Sequence, residues 1–203
     1  MNITIFKDIK DTSQPFYRSV DVILQRIKDG SSKELVKKIR NTKDKEQRNK
    51  LKQNLPSICF SGTFTQRNDN SLNQHSGLIC LDFDGYSANR DMLQEKERLT
   101  KNKYIYSVFI SPSGKGLKAL VKIPTDPEQH INYFKSLEKY FKSPNFDTTS
   151  KNISRVCYES YDPLIFINET SSTWDRIEEE EYTEYIKHVD KATIPVTDEN
   201  KIV

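Results

Sequence analysis

The sequence predicts an α+β fold, and three observations carry that reading. Strand-like apolar runs and amphipathic helical runs interleave along the chain. The two central strand-like runs, 104–111 and 116–124, are separated only by a glycine-containing loop, as in a hairpin. The strongest strand, 76–84, is apolar on both faces, as a central strand must be. A tight hairpin implies antiparallel neighbours, whereas a doubly wound parallel sheet needs a crossover helix between each pair. At 203 residues the chain has room for one domain of ordinary size, or one domain plus a tail.

The elements follow in order. Residues 2–6, NITIF, read as a short first strand. Residues 16–29 read as a helix, with Val20, Ile23 and Ile27 at helical spacing. Ser31 and Glu34 have capping-box spacing, and the helix they open is expected to run to about Gln53, short of Pro56. Residues 57–61 are a strand, and a polar loop through Arg67, Asn68, Asp69 and Asn70 leads to the central strand. A helix is expected near 87–101. After the hairpin, residues 127–142 form an amphipathic helix opened by Asp126 and Pro127, burying Ile131, Phe134, Leu137 and Phe141. Strands near 154–160 and 164–168 close the domain, placed at 1–170; residues 171–203 read as an acidic tail or linker with room for a partial helix.

Charge is unevenly divided. Residues 171–203 carry nine acids and four bases, so the body carries a net +8, which suits a polyanionic partner. Residues 33–52 alone hold nine bases and three acids, either a basic arm over a nucleic-acid groove or a solvated helix face. No apolar run approaches the 18 or so residues that a membrane span needs, and the start of the chain lacks a signal-peptide stretch. Both point to a cytoplasmic protein. Three cysteines, Cys59, Cys80 and Cys157, with no C-x-x-C spacing, read as buried free thiols.

The chemistry lies at the end of the central strand, in LICLDFDGY, residues 78–86. Side chains repeat every two residues, so Ile79, Leu81 and Phe83 share one face while Leu78, Cys80, Asp82 and Asp84 share the other. Two carboxylates that close repel unless a positive charge lies with them. Three readings answer this. The pair is a turn-side surface feature helped by Gly85; or LDFDG is the opening of a haloacid-dehalogenase-type phosphatase; or the pair holds a divalent cation for a nucleoside triphosphate. The phosphatase reading lacks its downstream acidic pair and its strand–helix alternation. The metal reading needs a third acid and a phosphate holder. Asp147 in NFDTT is a candidate for the first. SPSGKGLK, 111–118, supplies the second: Ser111 and Ser113 donate, Gly114 shapes a turn whose backbone N–H groups suit phosphate oxygens, and Lys118 adds charge. Arg155 can bind phosphate or stack on a base. The loop is not a Walker A loop, and plain hairpins share its pattern.

Taken together, four stretches, LPSICFSGTF (55–64), HSGLICLDFD (75–84), SPSGKGLKALV (111–121) and SRVCYESYDP (154–163), stand in an order that resembles the archaeo-eukaryotic primase and primase-polymerase superfamily, and within it the VirE-like N-terminal domains. The resemblance covers roughly 50–170. It implies a catalytic domain with a small N-terminal α/β unit, an RRM-like mixed sheet unit and a cleft between them. It implies that Asp82, Asp84 and Asp147 bind Mg²⁺ or Mn²⁺, and that Ser113, Lys118 and Arg155 hold the triphosphate, with Ser111 and Gly114 shaping the loop. A single-stranded DNA template would cross the basic face, a 3′-hydroxyl would attack the α-phosphate, and a helicase domain or subunit is the implied partner. One departure is plain: Lys118 stands where the superfamily's second motif ends in histidine. A non-catalytic module that binds nucleotide or single-stranded DNA and positions a helicase is the competing expectation, and a metal-dependent nuclease a third. His75 reads as a turn residue or as a support just behind the metal strand's carboxylates, and His130 and His188 as solvated. Tyr104, Tyr106 and Tyr158 fit core packing or base stacking.

Overall fold

Two four-stranded sheets form the frame in the computed structural model, which describes residues 1–177. Strands β1 (Asn2–Phe6), β2 (Phe16–Ser19), β3 (Ser57–Cys59) and β9 (Cys157–Tyr158) make the first sheet, in the order β2-β1-β3-β9. Strands β6 (Leu78–Phe83), β7 (Ile105–Ile110), β8 (Leu117–Lys122) and β10 (Phe166–Ile167) make the second, in the order β10-β7-β8-β6. A separate hairpin joins β4 (Gly62–Phe64) to β5 (Leu72–His75). Every strand pairing among the described residues is antiparallel. The helices are α1 (Val20–Asp29), α2 (Lys33–Asn41), α3 (Lys45–Lys52), α4 (Asn89–Thr100) and α5 (His130–Phe141). The fold is α+β, as the hairpin and interleaving predict.

The alternation read in the central strand is realised as two cores. Ile79, Leu81 and Phe83 join Met92 and Leu99 of α4 and Phe134, Leu137 and Phe141 of α5 on one face of the second sheet. Leu78, with Cys80 against it, joins Ile3, Ile58 and Cys157 of the first sheet and Ile23, Leu24 and Ile27 of α1 on the other. Trp174 packs into the first of these cores, its ring 4.9 Å from Tyr104 and 4.5 Å from Tyr140. Tyr106 is buried as well, and Tyr158 packs on the cluster of Val36, Ile39 and Leu55, so all three tyrosines serve packing.

Several local expectations are corrected. Residues 16–19 are a strand paired with β1, and the helix starts only after Ser19, whose hydroxyl accepts the Val22 N–H. The basic stretch is two helices, because Asp44 caps a second one by accepting the Gln47 N–H at 2.7 Å. Ser31 and Glu34 form no capping box: the N-cap is Ser32, which makes no side-chain cap and gives its hydroxyl to Glu159. The strand expected at 57–61 ends at Cys59, and a separate strand, β4, begins at Gly62. The helix expected from 127 begins at His130, and Ile131 faces solvent. His130 itself is buried against His75, with Nδ1 3.0 Å from His75 Nε2. The three cysteines are free, with Cys59 and Cys157 buried. His188 and the acidic run of the tail lie outside the described residues.

Candidate active site

Cross-strand register assembles the site. Asp82 of β6 lies opposite Lys118 of β8, and Lys118 lies opposite Phe109 of β7. On the outer edge of β6, residues 145–147 extend the ladder through a bridge between Phe83 and Phe146. The Asp147 N–H donates to Asp82 O at 2.8 Å, and the Asp84 N–H donates to Asn145 O at 2.8 Å. Asp147 is thereby brought beside Asp82 from 65 positions away in the sequence. Facing residues on paired strands share a face. Asp147, Asp82 and Lys118 therefore form a row across one sheet face, with Asp84 just past the end of β6.

The positive partner of Asp82 is Lys118, whose Nζ is ion-paired with Asp82 Oδ2. Both side chains are largely buried. Burial works against the ammonium's charge, but the Asp82 carboxylate, with smaller help from Cys157 and Cys80, leaves the lysine above its ordinary range. The other oxygen, Asp82 Oδ1, is buried and accepts no hydrogen bond. Asp84 is pushed up, first by desolvation of its carboxyl and then by the neighbouring Asp82 charge, while Lys118 and Lys52 pull the other way. Its Oδ1 lies over Gly116, where a Cβ would fall 1.9 Å away and 2.8 Å from Phe83 O. Only glycine at 116 leaves that carboxyl in place. Asp147 is turned aside: Oδ1 accepts from the Thr149 amide at 2.9 Å and hydroxyl at 2.6 Å, and Arg155 Nη2 stands 3.5 Å from Oδ2. Burial opposes its ionisation, yet these hydrogen bonds and the Arg155 and Lys118 charges hold it below the usual range.

Residues 111–116 turn tightly from β7 into β8. The Ser111 N–H donates to Gly116 O at 2.8 Å, the Gly114 N–H to Ser111 O at 2.9 Å, and the two serine hydroxyls are 3.0 Å apart. Gly114 has φ of 71°, in the left-handed region that favours glycine. The expected loop residues thus converge next to Asp84 through Gly116.

Sequence reasoning missed two basic residues here. Arg40 of α2 donates from Nη2 to Ser111 O at 3.2 Å and to Tyr161 O at 2.8 Å, lies along Gly114, and leaves Nε buried without a partner. It borders a cleft of about 390 Å³ together with Tyr86, Asn89, Ser113, Gly114 and Lys115. Lys52, in the last turn of α3, feels the charges of Asp84, Arg48, Lys118 and Asp82, so the basic stretch ends facing the carboxylates. Its burial lowers its pKa. The only signal for either residue was the density of bases in 33–52, which points to no particular residue.

The donors suit a hard divalent cation in kind: carboxylate oxygens, one of them buried and unpartnered. They are not gathered into a finished ligand set, since no group of three or more His, Cys, Asp or Glu side chains stands in ligating geometry among the described residues. Asp82 and Asp84 are the residues that could take such an ion, with Asp147 adjacent.

The α+β frame thus brings two carboxylates, a glycine-containing turn and the bases Arg40, Lys52 and Lys118 to one end of β6 and β8. The chain belongs to the BT4734-like, N-terminal domain family, whose model matches residues 50–166. That family description does not carry the narrower VirE-like assignment. Among solved structures, the chain is similar to the AEP domain of the cyanophage S-2L primase-polymerase, at 14% identity and a TM-score of 0.44, over 86% of this chain and 83% of that one. It is also similar to primase RepB′, at 16% identity and a TM-score of 0.35, over 85% of this chain and 52% of that one. No curated protein matches the sequence. No helix among the described residues is long and apolar enough to cross a membrane.

Proposed function

We propose that this domain is a primase-like nucleotidyltransferase of the VirE-like branch, adding nucleotides on a single-stranded DNA template in the cytoplasm, in the service of a mobile element or phage. The observation that carries the reading is the row Asp147–Asp82–Lys118 across one sheet face, with Asp84 and the 111–116 turn at its end. Those are the three motif segments named by the sequence resemblance, contributed by three separate stretches of chain. Asp82 and Asp84, joined by Asp147, would hold Mg²⁺ or Mn²⁺. When bound, the ion supplies activation of the attacking 3′-hydroxyl and charge neutralisation on the phosphates. Ser111, Ser113 and the Gly114 turn present donors to the triphosphate, and Lys118 and Arg155 supply positive charge. Lys52 and Arg48 line the approach for a polyanionic template. The protein's part is to position the reactants and to stabilise charge.

A second reading has an observation in its favour. Lys118 already neutralises Asp82, which suits a module that binds nucleotide or single-stranded DNA and positions a helicase without catalysis. One assay separates the two. Protein is mixed with single-stranded DNA, labelled nucleoside triphosphates and Mn²⁺ or Mg²⁺, beside Asp82→Ala/Asp84→Ala. Products that lengthen in the wild type and vanish in the variant are expected. Intact DNA binding with no product supports the helicase-positioning module instead, and DNA cleavage without added nucleotides identifies a nuclease.

A further inference from the structure

Asp82 is bound twice over in the reading above, once by Lys118 and once by a divalent cation. We propose that Lys118 is a resident counter-ion that the divalent cation must displace from Asp82, so that metal and nucleoside triphosphate bind this domain cooperatively. The inference rests on the metal-site reading. Its own basis is the asymmetry of one carboxylate: Oδ2 is occupied by Lys118 Nζ, while Oδ1 is buried and accepts nothing.

The charge arithmetic sets the direction. Without ligands, Asp82 and Lys118 cancel in a largely dehydrated place, and Asp84 remains over Gly116. A divalent cation arriving alone at Asp82 and Asp84 meets an ammonium already within ion-pair distance of the same carboxylate. Like charges repel most strongly where water is excluded. The cation therefore binds weakly unless Lys118 swings off, and a buried ammonium without a counter-ion is itself unfavourable. A triphosphate removes both penalties, because it gives the displaced ammonium an anion and gives the metal further oxygen ligands. Lys118 follows Gly116 by two residues, where the turn that the proposed function gives to the triphosphate enters β8, so rotation of its own side chain would carry the ammonium from Asp82 toward that turn. Such coupling is reciprocal: metal tightens nucleotide by the factor by which nucleotide tightens metal.

The test is Mn²⁺ binding, read by electron paramagnetic resonance of the free ion, with and without a non-hydrolysable nucleoside triphosphate. The wild type is compared with Lys118→Gln, which keeps a hydrogen-bond donor and loses the charge, and with Lys118→Arg, which keeps the charge. In the wild type, the triphosphate should tighten Mn²⁺ by about tenfold or more. Without nucleotide, Lys118→Gln should bind Mn²⁺ about tenfold tighter than wild type, with most of the coupling gone. Lys118→Arg should stay near wild type. Equal Mn²⁺ affinity in wild type and Lys118→Gln overturns the exchange while leaving the metal site standing. So does an equal gain in Lys118→Arg. Should Lys118→Gln fail to fold, the wild-type titration decides alone, and coupling below about twofold overturns the proposal. Mn²⁺ bound by none of the folded proteins overturns the metal site and the exchange together.

Discussion

Two buried lysine–aspartate pairs lie among the described residues, and one oxygen atom separates them. In the Lys96–Asp162 pair every acceptor is used: Asp162 Oδ2 takes Lys96 Nζ at 2.6 Å and the Ile110 N–H at 2.9 Å, and Oδ1 takes the Leu164 N–H at 3.0 Å. Lys96 also donates to Leu164 O at 2.9 Å. In the Lys118–Asp82 pair, Oδ1 has no donor. Buried polar atoms are nearly always satisfied, so a saturated pair reads as structure, and one with an open acceptor reads as a place kept for something else. Arg26 and Glu159 repeat the saturated pattern at 2.6 Å, with the Ser32 hydroxyl added. Both saturated sites tie the segment around residues 157–165 to helices, α1 and α4, in the part of the chain that carries SRVCYESYDP. That stretch is family-like in sequence, yet its acids hold the scaffold.

The largest expected effect breaks the comparison directly. Asp162→Ala leaves Lys96 buried with no carboxylate and the Ile110 and Leu164 amides unpaired, and should cost about 3–5 kcal/mol of unfolding free energy. Asp82→Ala should cost only about 1 kcal/mol, because the Asp84 charge also acts on Lys118 and remains when Asp82 is gone. Its nucleotide incorporation should nevertheless fall by about 10³-fold or more, roughly 4 kcal/mol in the barrier. Urea melts and primer-extension rates on the same two proteins decide it. Equal destabilisation would erase the distinction between a saturated and an open pair.

A smaller effect sharpens the open pair. Gly116→Ala puts a Cβ 1.9 Å from Asp84 Oδ1. The carboxyl must move, and the Phe83 carbonyl, 2.8 Å from that Cβ, must give as well. Incorporation should fall by about 10–10²-fold, since small misplacements of a reacting constellation cost that much. Unfolding free energy should fall by about 1–3 kcal/mol, because that Cβ also lands 2.8 Å from the Phe83 carbonyl oxygen, which is backbone and cannot rotate away. A variant with wild-type kinetics would mean that Asp84 is not needed where it lies.

What the sequence made legible, and what it did not, follows the same division. The faces of β6, the aspartate pair, the loop and Asp147 were readable because a strand's period of two assigns every side chain to a face, and because the motifs are local. The edge strand β2 and the hairpin of β4 and β5 were missed because FYRS and LNQH are short and lie beside polar turns, where neighbours rather than propensity decide the outcome. The break between α2 and α3 did have a local signal, Asp44 three residues before Gln47, which a longer helical reading overran. Arg40 had only the density of bases around it, and Glu159 and His130 had none. Their partners lie 71, 133 and 55 positions away, so only the folded chain brings them together.

The histidines give the last and smallest test, in a third buried polar pair that is satisfied only when neutral. The Gly77 N–H donates to His75 Nδ1 at 3.1 Å, which leaves the His75 proton on Nε2, facing His130 Nδ1 at 3.0 Å. A proton added to either ring costs that arrangement. Burial, then the neighbouring His75, lowers His130 to about 3, and burial lowers His75 as well. The folded state therefore binds fewer protons than the unfolded chain, whose histidines titrate near 6.5. For His130 the stabilisation is complete above pH ~6.5 and is lost as pH falls toward ~3, at on the order of 1 kcal/mol per pH unit, and His75 adds to it in the same direction. Between pH 6.5 and 5 the carboxylates with lowered pKa values, Asp8, Asp69, Glu97 and Asp147, stay ionised and contribute no slope. Asp84, whose protonated form is favoured in the fold, runs the opposite way. A His130→Gln variant should flatten the dependence of unfolding free energy over that window, and the difference between the two slopes isolates the histidine. Identical slopes would mean that the pair accepts a proton without penalty, and a buried polar pair could then be open with no oxygen left bare.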